Sequence, residues 1–270
     1  MKKTRSISVF ILFFTTLIGV AQETNKSPYH TTFWGDGAWV VGGVAANALG
    51  LSLIINKDDI TEQELNELNE DDIIGIDRWA AGFNSESANK ISDIPFYGSF
   101  FTPFLLLIPE ETRGNAGQLS VLMLESVSTA GAIYTISAGL VNRARPRVYD
   151  ENLALDTRID NDNQRSFFSG HVAASAATTF FVAQVLHDYF PDSGAQPFIW
   201  ATAAAIPAAV GFFRVKSGNH FLTDVLLGYA IGAASGVLIP NLHKRKDNKL
   251  RASAGMGMHG EAMLSLNYTF

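Results

Sequence analysis

Arg214-Val215-Lys216-Ser217-Gly218-Asn219-His220-Phe221-Leu222-Thr223-Asp224 joins two apolar stretches, Phe198 to Phe213 and Phe221 to Ile239. Polar side chains of this kind between two helix-length apolar runs read as a functional turn at one end of a helical bundle. Two more polar clusters sit at helix ends upstream. Asn142-Arg143-Ala144-Arg145-Pro146-Arg147 follows the apolar run Leu119 to Val141, and Ser166-Phe167-Phe168-Ser169-Gly170-His171 precedes the run Val172 to Leu186. If neighbouring helices are antiparallel, all three clusters meet on one rim.

The residue types on that rim suit a phosphoryl group. Arg145 and Arg214 carry planar forks that match phosphate oxygens. Ser169 and Gly170 open a helix, where unpaired N–H groups and the positive dipole end favour an anion. His220 and Asp224 are four residues apart and share a face if a helix begins here. A carboxylate on one imidazole nitrogen leaves the other free as a nucleophile, and His171 is available as proton donor. Each cluster alone has a plainer reading as topology signal or helix cap; their joint occurrence points to a site. His30, His187, His243 and His259 lack comparable neighbours in sequence and read as structural.

The rest of the chain frames this core. Residues 1–21 have the plan of a secretory signal: Lys2, Lys3 and Arg5, an apolar run from Ile7 to Val20, and small residues before Gln22. Residues 22–117 form an N-terminal region. It holds the apolar run Ala38 to Ile55 and an acidic stretch, Lys57 to Arg78, that reads as a short amphipathic helix with a solvated face. Tyr97 to Pro109 is apolar but short and contains Pro103, so it is expected at the interface or re-entrant. Residues 118–243 form the core, with Glu125 inside one apolar run. Residues 244–270 form a basic linker and a tail in which Leu264, Leu266, Tyr268 and Phe270 alternate with polar residues, as in a β-hairpin turning near His259-Gly260.

Composition narrows the class. The 270 residues include 20 basic and 26 acidic side chains, a net charge of −6, which excludes a general basic-patch nucleic-acid binder. No cysteine is present, so disulfides, thiolate metal sites and cysteine nucleophiles are excluded.

The three clusters resemble the tripartite signature of the type 2 phosphatidic acid phosphatase (PAP2) superfamily, Lys-x6-Arg-Pro, Pro-Ser-Gly-His and Ser-Arg-x5-His-x3-Asp. Here these are Arg145-Pro146, Phe168-Ser169-Gly170-His171 and Phe213-Arg214 with His220 and Asp224 at the family spacing. The resemblance implies an all-α, PAP2-type, membrane-embedded bundle with a short β-like tail. It implies that His220 attacks phosphorus to give a phosphohistidine, Asp224 orients it and His171 protonates the leaving oxygen. Arg145, Arg214, Ser169 and the Gly170 amide would bind phosphate, with no metal and no cofactor. The implied partners are a lipid phosphate and a membrane; a polyprenyl diphosphate, phosphatidylglycerol phosphate, phosphatidic acid and lipid A are candidate substrates. Soluble periplasmic acid phosphatases and vanadium haloperoxidases resemble the family too, and a non-catalytic envelope protein could retain the motifs. Ala138 stands where the family has lysine, and Lys216 or Arg143 is the expected substitute cation.

Counting passes from a cytoplasmic start, with Tyr97 to Pro109 not spanning, puts the three clusters outside and Lys244-Arg245-Lys246 in the cytoplasm. The expected location is the inner membrane of a bacterial-type envelope with the site facing the periplasm, or else the periplasm itself.

Overall fold

The computed structural model describes residues 27–245 and the backbone of 250–256 and 262–268. The expected signal at residues 1–21, Lys246 and the His259-Gly260 turn lie outside the described residues.

Six long helices carry the architecture: α1 (Phe33–Ile55), α2 (Glu86–Ser99), α3 (Ala116–Leu140), α4 (Gly170–Tyr189), α5 (Gln196–Lys216) and α6 (Leu222–Leu242). The C-terminal tail forms two antiparallel strands, β1 (Leu250–Met256) and β2 (Ala262–Tyr268), paired from Leu250 opposite Tyr268 to Met256 opposite Ala262. The fold is the expected all-α bundle with a short β tail.

Helix α4 is central, touching α3, α5 and α6, with Val172, Ala176, Ala177, Phe181 and Val185 fully buried. Its pairing with α6 follows from three glycines at i, i+4 and i+8. A Cβ at Gly228 would lie 2.5 Å from the Ser169 carbonyl oxygen, at Gly232 2.2 Å from that of Ala173, and at Gly236 2.5 Å from that of Ala177. Both residue series rise together, so α4 and α6 are parallel and their backbones meet where no side chain fits. The same rule joins α1 to α3. Gly43 meets Ser128, Gly50 meets Thr135 and Gly139 meets Leu53, while Asn47 Nδ2 donates to the Ser128 carbonyl at 2.8 Å. Lys57, just past α1, donates to the Ala138 and Val141 carbonyls at 2.8 Å each, neutralising the negative end of α3.

This parallel α1/α3 pair corrects the count of passes. Between the end of α1 and the start of α3 the chain must return across the bundle, and α2 with the 3₁₀ turn Thr102–Leu107 makes that crossing. Asn89, near the start of α2, bonds to Arg214 and Asn219 on the rim, whereas Leu106 packs with Tyr29, Leu119 and Phe181 at the far end. Fourteen α-helical and six 3₁₀ residues reach about 33 Å, near the thickness of a bilayer core of about 30 Å. The crossing begins well before Tyr97, at Glu86, and its buried Ser92 and Ser99 hydroxyls are satisfied on their own helix at 2.6 Å each. A hydropathy reading therefore sees only its second half.

Helices α1, α3, α5 and α6 are long and apolar enough to cross a membrane. Phe33, Trp34, Val41, Ile55, Phe198 and Leu238 point outward from the bundle, the exterior of a membrane protein. The acidic stretch becomes a layer over the rim. It comprises a Glu62–Glu67 helix closed by a Thr61/Glu64 capping box, a 3₁₀ turn Glu70–Asp72 and a short helix Gly75–Arg78. Ile60 and Leu65 pack on Val148 below it. Most of its acids are solvated, but Asp77 is fully buried.

Gly232→Ala should destabilise the protein by about 1–3 kcal/mol, because the new methyl meets fixed backbone of α4. Gly37→Ala on α1, whose Cβ meets nothing within 4 Å, should not; the thermal midpoints of the two variants in detergent check this.

Candidate active site

Backbone bonds stitch the three clusters together. Arg143 and Arg165 form a parallel bridge: the Arg143 amide donates to Gln164 at 3.0 Å and the Ser166 amide to Arg143 at 3.1 Å. The Arg145 amide reaches the Asn163 carbonyl at 2.8 Å, that of Arg147 reaches Gly218 at 3.0 Å, and that of Ser169 reaches Asp224 at 3.1 Å. Gly218 is needed at φ +71°, where a Cβ would also fall 1.7 Å from the Phe83 carbonyl oxygen.

Arg145 and Arg214 are each about 6% exposed. One amide-to-amide bridge aims both: Arg145 donates to Asn219 Oδ1 at 3.0 Å, Asn219 Nδ2 donates to Asn89 Oδ1 at 2.9 Å, and Arg214 donates to the same Asn89 oxygen at 2.7 Å. Asp162 accepts from Arg145 and Arg165 and, at 2.7 Å, from Arg147. Burial pushes the Asp162 carboxyl upward, but Arg145, Arg165 and Arg147 reverse this and hold it below the ordinary range. Burial pushes Arg145 down to about 10, with Arg147 and Arg214 adding to the effect and Asp162 opposing it; the group stays protonated at neutral pH. After these bonds, Arg145 Nε, Arg214 Nε and Ser169 Oγ remain buried without a partner among the described residues. Ser169 is the cap residue of α4, yet its hydroxyl makes no capping bond. Buried donors left open beside positive charge suit an incoming anion.

His220 is buried, with Nδ1 2.6 Å from the Ser166 carbonyl oxygen. That bond places the proton on Nδ1 and the lone pair on Nε2. Burial pushes the imidazole well below its ordinary 6.5, the charges of Arg214 and Arg145 push further, and the Ser166 carbonyl opposes them. His171 interacts electrostatically with the same two arginines and with His220, and its ring packs on Phe96 of α2 with centroids 4.3 Å apart. Gly170 is held tightly, since a Cβ would lie 2.6 Å from the Tyr134 ring. The structure thus gathers Arg145, Arg214, Ser169, Gly170, His171 and His220 at one end of the bundle.

Asp224 departs from expectation. Helix α6 starts at Leu222 with Phe221 as its cap, so His220 lies before the helix and does not share a face with Asp224. The carboxylate instead accepts from the Phe221 amide at 2.9 Å, from Ser166 Oγ at 2.6 Å and from Arg143. It therefore reaches His220 through Ser166, whose hydroxyl it holds and whose carbonyl holds the imidazole.

The two expected replacement cations are also elsewhere. Arg143 bridges Asp224 and Asp77, the latter at 2.8 Å, and stacks over Phe221. Lys216 Nζ lies over the exposed Phe212 ring. Arg147, sharing Asp162 with Arg145, is the additional cation beside the cup. Sequence reading did not single out Asn89, Asp162, Asn219 or the roles of Asp77 and Ser166. Asn219 and Ser166 stood inside the quoted clusters, which was the available signal.

Residues 119–248 match the family model described as the PAP2 superfamily. This region of the chain belongs to the PAP2 superfamily. Among solved structures, Aquifex aeolicus LpxE is 20% identical with a TM-score of 0.41, covering 60% of this chain and 90% of that one. The first transmembrane PAP2 type phosphatidylglycerolphosphate phosphatase from Bacillus subtilis is 22% identical with a TM-score of 0.39, covering 87% and 94%. No curated protein matches. The PAP2 region thus includes all three clusters, while Asn89, which aims Arg214, comes from the helix before it.

The neutral His220 has a measurable linkage. Below about pH 6.5 the unfolded chain binds a proton there that the folded chain refuses, so stability falls as pH falls and is unaffected above. Wild type should lose up to about 1.4 kcal/mol per pH unit more than His220→Asn between pH 6.5 and 5; denaturant midpoints across that range test it.

Proposed function

We propose that this protein is a phosphatase that removes a phosphomonoester or diphosphate end group from a lipid through a phosphohistidine, without a catalytic metal. His220 Nε2 attacks phosphorus as the bond to the leaving oxygen breaks, and His171 gives that oxygen its proton. His171 then takes a proton from water, which attacks the phosphohistidine, releasing inorganic phosphate and restoring His220. Arg145, Arg214, Ser169 Oγ and the Gly170 amide hold the phosphoryl oxygens as charge moves toward the transition state. Asp224 acts as a positioning residue through Ser166.

The observation that carries this reading is the set of open buried donors, Arg145 Nε, Arg214 Nε and Ser169 Oγ, gathered with a neutral imidazole whose other nitrogen is tied down. The nearby carboxylates of Asp162 and Asp224 are committed to arginines, so the cup offers an anion site and a poor donor set for a divalent cation. The PAP2 membership supports phosphatase chemistry, and the apolar exterior around a polar rim supports a lipid substrate. Phosphate release by the purified chain in detergent, across polyprenyl diphosphate, phosphatidic acid, phosphatidylglycerol phosphate and lipid A, should fall at least a thousandfold in His220→Ala. Wild type quenched in alkali should carry labelled phosphate on histidine; release without such an adduct would overturn the covalent route.

We further propose that the catalytic rim faces the periplasm from the inner membrane of a bacterial-type envelope. With six passes, Phe33 and the Lys244-Arg245 flank share the opposite face, where the positive-inside preference supports a cytoplasmic location. That arrangement is incompatible with a cleaved export signal ending at residue 21, which would deliver the start of α1 outside. The chain has no native cysteine, so Glu62→Cys on the rim and Asp192→Cys at the far end can be labelled in intact cells with a membrane-impermeant maleimide. Labelling of Glu62→Cys alone is expected; the reverse pattern would overturn the orientation.

A further inference from the structure

Glu125 lies within α3, fully buried, close to the Asp36 carboxylate, and among the described residues neither of its oxygens has a hydrogen-bond partner of good geometry. An uncompensated carboxylate there is costly, so its surroundings must answer its charge. Two groups face it at the end of the bundle away from the catalytic rim. His243, just past the end of α6, places Nε2 3.3 Å from Glu125 Oε2 and 2.8 Å from Asp36 Oδ1 at the start of α1. His243, read from sequence as an isolated structural residue, thus has two carboxylates beside it.

The finer geometry sets these three side chains up as ligands. His243 Nδ1 is 2.8 Å from the Ile239 carbonyl oxygen, which puts the proton on Nδ1 and turns the Nε2 lone pair inward. Asp36 Oδ2 is occupied by the Thr32 amide and hydroxyl, leaving Oδ1 directed at His243. One donor atom from each of the three residues lies within 4.8 Å of the others. Metal–ligand bonds of about 2.0–2.2 Å separate adjacent ligand atoms by about 3.0–3.5 Å, close to the 2.8 and 3.3 Å found here. As metal ligands, two carboxylates bring −2 and an imidazole brings none, which one divalent ion balances. An open cleft of about 620 Å³, lined in part by Thr32, Asp36, Trp39 and His243, gives a path in and room for completing waters.

We propose that Asp36, Glu125 and His243 form a structural site for a divalent transition-metal ion of the Zn²⁺ class, separate from the catalytic cup. The ion ties the start of α1 to the middle of α3 and the end of α6. Helix α1, whose partner in the bundle is α3, is thereby fastened to a second helix.

Zn²⁺ is the probe. The full chain in detergent, stripped with chelator and dialysed against Zn²⁺, should bind one ion per chain and unfold at a higher temperature when loaded. Glu125→Gln and His243→Ala should each weaken binding at least tenfold, while His220→Ala should leave it unchanged. X-ray absorption of the zinc-loaded wild type should show one imidazole in an oxygen-rich shell, a readout that does not depend on the variants folding. No bound zinc at micromolar concentration would overturn the site in favour of a proton shared by an ion pair. Two imidazoles in the shell, or binding lost in His220→Ala and kept in the other two, would overturn it in favour of the catalytic histidines.

Discussion

Holding two guanidinium groups in the interior, close together and still able to accept an anion, is the constraint on which the rest of this structure depends. Arg145 and Arg214 repel one another and are nearly removed from water, so each needs partners that fix it without using up its fork. The Asn219-Asn89 bridge does this with neutral amides, and Asp162 supplies one negative charge shared with Arg147 and Arg165. Asp162, with Asp93 acting on Arg214, sets two carboxylates against four guanidinium groups and leaves the region positive. Burial first, and then the same field, keep His220 neutral, as the proposed nucleophile must be.

The helices exist in this arrangement because they meet at small residues. Gly228, Gly232 and Gly236 bring α6 onto the backbone of α4, so the first turns of both helices, which carry Asp224 and His171, arrive side by side. Gly43, Gly50 and Gly139 do the same for α1 and α3, and the parallel direction they impose forces α2 across the bundle. That crossing brings Asn89 to Arg214 and Phe96 to His171. The region ahead of the PAP2 match therefore contributes to the candidate site.

The acidic segment shows how a local reading goes astray. Nine carboxylates between Lys57 and Arg78 read as a solvated face, and most are. Asp77 turns inward to accept from the Thr223 amide at 3.0 Å, from the Thr223 hydroxyl and from Arg143, closing the start of α6. Arg143 then joins Asp77 to Asp224. Its position beside Arg145 in sequence suggested a phosphate contact, but two buried carboxylates claim it first.

By itself, the sequence determined that the protein is a helical bundle, where its apolar helices fall, and that Arg145, Ser169, Gly170, His171, Arg214 and His220 belong together. The bundle and its helices follow from hydropathy; the grouping follows from three polar clusters at helix ends and from the resemblance of their spacing to the PAP2 signature. Tertiary structure alone decided the direction of α1, the crossing by α2, the Ser166 carbonyl as the partner of His220, the engagement of Arg143, and the meeting of Asp36, Glu125 and His243. Each of these is a contact between residues far apart in the chain. It depends on which helix faces which, and in which direction, and backbone packing at glycines sets that without leaving a mark in local polarity.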